Sequence, residues 1–503
     1  LSRLRRQQLL TLLVAIVAVA FPLLHDNDAD IDSAANAAAY ATLALGLNIV
    51  VGFAGLLDLG YAAFFAIGAY AYGILTSFQV MPHWGPVWEP FAWLHLVQRI
   101  PQPFGDVVHF TVSFWIMLPV SALIAAGFGV LFGAPTLRLR GDYLAIVTLG
   151  FGEIVPIVVR NVDSVTNGAA GLNGIQAPRL FGHSFGIAAW PYYYVGIAMV
   201  GLLIFVSIRL RDSRIGRAWM AIRDDETAAA AMGVDRTRTK LLAFAIGAAF
   251  AGATGTFYVA KLQTATPEMF GFPVSVMILV MVVLGGIGSV WGVVVGAVLL
   301  QLLQSWLLED ISGWIHALGE AINQTWMQQI DLTQSIELIF GLILVFMMLF
   351  RRDGLIPATA RQSALTFEQQ HAEVRRGGAL SALGAFQNGA LEVTGITVRY
   401  GGLVALNAVD LAVPAGSVVA VIGPNGSGKS TLFNVITGLT EATGGVIRFA
   451  GESLLGLPPH RILQLGVART FQNIRLFGSL SVLDNVLIGH HARLRTGPIA
   501  AVF

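Results

Sequence analysis

Gly423-Pro424-Asn425-Gly426-Ser427-Gly428-Lys429-Ser430-Thr431 is the stretch that decides how the C-terminal part of this chain is read. The run before it, residues 418–422, is short and apolar, of strand type. The run after it, residues 432–439, continues as a helix that Gly438 can end. A glycine-rich loop closing in Gly-Lys-Ser between strand and helix is built to hold a phosphate chain. Glycine lets the backbone curl so that successive N–H groups face one anion, and the helix N-terminus adds its partial positive charge. Lys429 is placed to reach the terminal phosphates, and the Ser430 hydroxyl to ligate Mg²⁺.

Outward from this loop the composition changes. The chain has 503 residues, of which 55% are hydrophobic and only 12% charged, about half the charge of an ordinary soluble domain. Its formal charge of +1 provides no basic footprint for nucleic acid. With no Cys there is no disulfide, thiol chemistry or Cys-based metal site. Nearly all the long apolar runs fall in residues 1–354. They divide into ten candidate spans of membrane length: 7–24, 33–52, 61–78, 111–134, 142–160, 191–208, 240–260, 273–288, 290–308 and 333–350. Within 273–308, Gly285-Gly286-Ile287-Gly288-Ser289 reads as a turn or a kink. Residues 355–388, rich in Ala, Ser and Gln, read as a linker, and residues 389–503 as a soluble α/β stretch. The expected architecture is a polytopic α-helical membrane domain, then a linker, then a P-loop domain.

Ten spans put both ends of the membrane part on one side. That side then carries fifteen Lys and Arg, eight of them between residues 209 and 240, against four on the other. The excess marks the cytoplasmic face, so the P-loop domain is expected in the cytoplasm. Two glycine-rich apolar segments, 51–60 and 283–289, look like an internal repeat. Such a pair points to a transport pathway or simply to close helix packing. Asp58 and Glu153 are ionisable residues within spans, either lining a pathway or placed at an interface.

Residues 389–503 resemble the N-terminal half of an ABC-transporter ATPase. Besides the loop, the resemblance rests on Tyr400, 23 positions before Gly423, and on the strand-like Val446-Ile447-Arg448-Phe449-Ala450-Gly451. It rests also on Gly466-Val467-Ala468-Arg469-Thr470-Phe471-Gln472-Asn473 and on Ser481-Val482-Leu483-Asp484-Asn485-Val486. The form Arg469–Phe477 is close to the ATPases of branched-chain amino acid importers. The resemblance implies ATP and Mg²⁺ as cofactors, Tyr400 stacking on adenine, and Lys429 and Gln472 in catalysis. Ser430 and Gln472 would hold the metal, and Gln472 would lie against the membrane domain. The chain stops before the places of the family's signature motif, second nucleotide Asp, catalytic Glu and switch His. The portion present is therefore expected to bind nucleotide weakly and not to hydrolyse it at a normal rate. His490 and His491 come too soon after Gln472 for the switch and read as surface residues.

The membrane part resembles the permease of the same importer class. The match is carried by Arg140-Gly141-Asp142-Tyr143-Leu144-Ala145-Ile146-Val147-Thr148-Leu149-Gly150-Phe151-Gly152-Glu153-Ile154 and by Gly216-Arg217-Ala218-Trp219-Met220-Ala221-Ile222-Arg223-Asp224-Asp225-Glu226. The second lies in the loop 209–240, which resembles the family's coupling helix. A helix is expected between Ala218 and Met232, stopped by Gly233. Arg217, Glu226 and Gly233 are the candidate coupling residues, with 226–233 facing 470–475. The resemblance implies ATP-driven import of branched-chain or related small hydrophobic amino acids across a bacterial inner membrane. It implies as partners a second permease subunit, a second ATPase subunit and an extracytoplasmic binding protein. Import of urea or short amides on the same fold, or a non-hydrolysing nucleotide-regulated channel, is the alternative.

Overall fold

The computed structural model describes residues 16–25, 27–77, 97–100, 107–110, 113–137, 139, 141–180, 183–322, 335–358, 389–494 and 497–502. They pack as two units. One combines residues up to 211 with 240–358; the other combines 212–239 with the chain beyond 358.

The first unit is helical. Its main helices are α1 (Asp28–Leu47), α2 (Ala62–Thr76), α3 (Phe114–Thr136), α4 (Asp142–Asn161) and α5 (Ala189–Arg211). Among the described residues, seven helices are long and apolar enough to cross a membrane, and α2 is a shorter apolar one. The expected span 7–24 lies partly outside the described residues; 16–24 is helical. The span expected at 33–52 starts earlier. Asn27 caps α1, accepting from the Ala29 N–H at 3.1 Å. Asp28 and Asp30 in the first turn suit the positive end of a helix dipole. From Asn48 to Phe53 the helix widens to π geometry, and the chain then breaks through Gly55 to Gly60.

α3 shows how sequence places a membrane helix. Met117, Ser121, Ala125, Gly129 and Gly133 recur every fourth residue and are buried, while Ile116, Leu123 and Leu131 are exposed. The small residues let backbones approach. Cβ atoms added at Gly129 and Gly252 would lie 2.8 Å from the Ala248 Cβ and 2.4 Å from the Ala125 Cβ. Gly252 belongs to a long helix that also ties in α1 and α2. There the Thr42 and Thr254 hydroxyls bond at 2.7 Å, and the Tyr61 hydroxyl donates to the Gly247 carbonyl at 2.7 Å.

In the second unit, α6 (Arg214–Asp224) and α7 (Glu226–Ala231) stand where one helix was expected. Asp225 between them is extended, at φ −152° and ψ 102°, and caps α7. The long helix that follows is α8 (Arg236–Leu262); its first turn belongs to this unit and the rest to the first.

The first unit resumes with α9 (Phe272–Gly285), α10 (Val290–Leu302), α11 (Leu308–Ala321) and α12 (Ile336–Phe350), a short apolar helix where a span was expected at 333–350. Between α9 and α10 is a turn rather than a kink: Gly286 sits at φ +122°, open to glycine and strained for other residues. The span expected to end at 308 runs on through a π segment, Leu303–Leu307, into α11. Ile311, Ile315 and Leu318 carry the apolar helical spacing forward, so the chain has no local reason to stop.

The rest of the second unit contains β1 (Leu391–Tyr400), β2 (Leu403–Val413), α13 (Lys429–Ile436), β3 (Gly444–Phe449), β4 (Glu452–Ser453), α14 (Pro459–Gln464) and α15 (Val482–Gly489). The sheet order is β4-β3-β1-β2, antiparallel throughout. Val393, Ile396, Val398 and Ile447 of the sheet form a core with Leu432, Val435 and Ile436 of α13. α13 ends as expected: Gly438 at φ +69° turns the chain and the Leu439 N–H bonds back to the Asn434 carbonyl. The expected strand at 418–422 is not formed. A strand exists by pairing with a neighbour, and no described strand pairs with these residues; Val418 is 100% and Ile422 92% exposed.

Candidate nucleotide loop and the docked helices of the same unit

The nucleotide loop enters α13 through Gly428, at φ +89°, with Gly426 at +84°. Both angles favour glycine. At Gly428 the fit is also steric, since a Cβ would sit 2.8 Å from Leu406 Cδ2 and 2.9 Å from the Ala405 carbonyl oxygen. Lys429 turns back over the loop. Its Nζ donates to the Gly423 and Pro424 carbonyls, each at 2.7 Å, and to Ser427 Oγ at 3.4 Å. The lysine thus holds its charge over the concavity of the loop, where a phosphate chain would bring acceptors of higher charge. Ser430 and Thr431 open α13 in its first turn. The loop therefore fits a nucleotide: it has a cation over its centre, the positive end of an eight-residue helix, and a hydroxyl beside them. Asn425 and Ser427 are exposed at its tip.

Among the sequence-derived site residues, contacts bring together Gly423, Pro424, Ser427 and Lys429. Tyr400 stands at the end of β1, 51% exposed, paired with Leu403. Gln472 is exposed in the irregular stretch after α14. In the first unit Glu153 is exposed, whereas Asp58 is buried. The Asp58 Oδ1 accepts from the Gly60 N–H at 2.9 Å, and its Oδ2 has no hydrogen-bond partner among the described residues.

The helices α6 and α7 share a core with the stretch that follows Gln472. Ala218, Ala221, Ile222, Ala228, Ala229 and Val234 pack with Phe477 and Ile488. Trp219 is fully buried, its Nε1 donating to the Thr239 carbonyl at 2.7 Å. Polar contacts frame this apolar patch. Asp225 Oδ1 accepts from the Thr227 and Ala228 N–H groups, both at 2.9 Å, while its Oδ2 takes Arg475 Nη1 at 2.8 Å. The Arg475 guanidinium lies over the Phe471 ring, 4.9 Å from its centre. Asp224 Oδ2 accepts both the backbone N–H and the hydroxyl of Ser479, at 2.9 and 2.7 Å.

Arg475 lies in the expected surface 470–475, whereas sequence reasoning missed Asp224, Asp225 and Ser479. The signal was present as an acidic pair before an alanine run, matched by an arginine after the glutamine. On the loop side, the contact to 470–475 comes from Asp225 rather than from 226–233. Glu226 pairs with Arg236 at 3.7 Å. Arg217 Nη1 donates to the Asp212 carbonyl at 3.1 Å. Gly233, at φ +91°, faces Leu463 and Ala492, 2.9 and 3.0 Å from the Cβ it lacks. The break at Asp225 interrupts the expected single helix, and the charged contacts fall at Asp224 and Asp225, just before the expected 226–233.

His491 is a further correction. It is 8% exposed rather than a surface residue, while His490 is exposed. Burial pushes its imidazole down to about 4, and the nearby Arg214 and Arg217 push the same way.

These features define a class: a helical membrane domain carrying a P-loop ATPase-type domain on the same chain. A family described as the branched-chain amino acid transport system permease component matches residues 31–314, and the ABC transporter family matches residues 406–501. The chain belongs to the branched-chain amino acid transport permease family, with an ABC transporter domain, partial in extent, fused behind it. The permease protein LivM of the high-affinity branched-chain amino acid transport system of Salmonella typhimurium is 36% identical over 390 residues, covering 73% of this chain and 79% of that protein. The ATP-binding protein BraF of Pseudomonas aeruginosa is 50% identical over 113 residues, covering 22% of this chain and 44% of that protein. LivG of Escherichia coli is 46% identical over 107 residues, covering 42% of its length. The match to the ATP-binding relatives thus spans less than half of their length.

Proposed function

We propose that this chain imports branched-chain or related small hydrophobic amino acids across the inner membrane, driven by ATP. The boundaries are a permease domain at 1–354, a linker at 355–388 and a nucleotide-binding domain from 389. The observation that carries the proposal is the shared core of α6 and α7 with Phe477 and Ile488. A loop between two membrane helices is there folded into the same unit as the nucleotide loop. The residues that would hold ATP are Tyr400 and 423–431, with Ser430 and Gln472 at Mg²⁺. The bound nucleotide supplies the free energy of phosphoryl transfer. Lys429 neutralises charge at the phosphates, and Arg217, Glu226 and Gly233 belong to the coupling surface. A second permease subunit, a second ATPase subunit and an extracytoplasmic binding protein complete the transporter.

The test is Lys429→Ala in the assembled transporter. The variant removes the cation held over the loop, so amino acid uptake should fall to background while the membrane domain still inserts. Uptake at the wild-type rate, in cells with no other copy of the system, would sink the assignment.

A further inference from the structure

Within the stretch 140–154 that carries the permease resemblance, α4 is packed onto the break that precedes α2. The break is held at both ends. At the π segment before it, the Gly288 N–H donates to Asn48 Oδ1 at 2.8 Å, and at its far end the Leu59 N–H donates to Thr148 Oγ1 of α4 at 3.1 Å. Backbones touch there: a Cβ on Gly60 would run into the Thr148 carbonyl, and one on Gly152 would lie 2.8 Å from the Gly60 Cα. Beside this contact the first unit encloses a cavity of about 10 Å³, whose walls include Asp58, Thr148, Phe64, Phe132, Phe151 and Phe244. It has room for one water-sized group. Asp58 is 2% exposed; its Oδ1 accepts from the Gly60 N–H, and its Oδ2 has no hydrogen-bond partner among the described residues.

From this we propose that Asp58 receives the ammonium group of the amino acid cargo. The inference rests on the import reading above and adds the group by which the membrane part recognises what it carries. The physical logic is one of unpaired charge. A carboxylate oxygen shut among apolar rings and left without a partner is costly, and ionisable residues inside a membrane domain are kept for what they bind or relay. A partner that both donates a hydrogen bond and neutralises the charge is a cation, and here it has to fit a space no larger than a water. An ammonium group meets these demands: an N–H answers Oδ2, and phenyl faces attract its charge. The cavity holds the ammonium head alone. Phe132 of α3 and Phe151 of α4 are stacked, with ring centres 4.8 Å and planes 7° apart, and both are partly exposed, whereas Phe64 and Phe244 are buried. The stacked pair is thus the more exposed wall, and it must part to seat the apolar remainder of the cargo.

The test compares Asp58→Asn with the parent chain in the purified, assembled transporter without its external binding protein. Asparagine keeps an oxygen to accept from the Gly60 N–H and removes the charge. A merely structural Asp58, or one that always carries a proton, would tolerate it. The probe is radiolabelled leucine, and the competitor is 4-methylpentanoate, the same molecule without its amino group. The parent should prefer leucine, and Asp58→Asn should lose that preference. Its leucine binding should weaken at least about tenfold, the worth of one hydrogen bond to a charged group. Ala63→Val narrows the cavity and leaves Asp58 in place. It should weaken leucine binding as well, and it decides the matter if Asp58→Asn does not assemble. Parent-like binding and preference in either variant overturns the assignment, as does the absence of leucine binding in the parent; if cells carrying the parent still accumulate leucine, the import reading stands. No uptake of any branched-chain amino acid by the parent transporter overturns that reading, and the assignment with it.

Discussion

Asp225 does two jobs with one carboxylate: one oxygen caps α7 and the other takes Arg475. A cap contributes about 1 kcal/mol and a half-exposed ion pair about 0.5 kcal/mol. Asp225→Ala should therefore open the docked loop about 5–30-fold more often, read as faster tryptic cleavage within 212–239. Asp225→Asn keeps the cap and should lose only a small part of that protection; equal effects of the two variants would refute the division. His491 adds a pH dependence. Unfolded, its imidazole takes a proton near 6.5; folded, not until about 4. Between those values the unfolded state binds more protons, so stability is complete above about 6.5 and falls as the pH drops through the window. Protease resistance of the second unit should decline from pH 6.5 to about 4, and His491→Gln should flatten that part of the profile. The absence of any difference between the two chains would show that His491 does not titrate against folding.

At the scale of elements, the docking of α6 and α7 turns on Gly233. Its φ of +91° strains any other residue, and a Cβ there would crowd Leu463 Cδ2 at 2.9 Å and Ala492 Cβ at 3.0 Å. Gly233→Trp should displace α7 from α14 and lower amino acid uptake at least tenfold, while nucleotide affinity at the Lys429 loop stays near that of the parent chain. Uptake that survives this variant would reduce the loop to a topology signal. The elements also show what short-range spacing carries and what it does not. The fourfold spacing of Met117, Ser121, Ala125, Gly129 and Gly133 states which side of α3 is buried. The apolar run at 418–422 states only a preference, because a strand is completed by a partner. The helix expected from Ala218 to Met232 was divided by a residue whose side chain found better use as a cap.

For the whole molecule, the excess of Lys and Arg on one side predicts that the chain's first residue and its nucleotide loop share the cytoplasm. With no native Cys, single cysteines at Ser2 and Ser381 provide a clean test. Neither should react with a membrane-impermeant thiol reagent in intact cells, and both should react after permeabilisation. Labelling of either in intact cells would reverse the orientation.

The sequence by itself determined the division into a membrane part and a P-loop part, most of the apolar helices, the family and the glycine-rich loop that leads into α13. These depend on local composition and spacing, because apolar length, glycine content and a Gly-Lys-Ser ending carry their physics within a few residues. Tertiary structure decided that residues 212–239 leave the membrane part to fold with the nucleotide-binding part. It also decided that Asp225 meets Arg475, that His491 is buried, and that Gly288 meets Asn48. Each of these joins residues far apart in sequence, or buries one among such neighbours. Their energies come from desolvation and from hydrogen bonds whose partners exist only once the chain has folded.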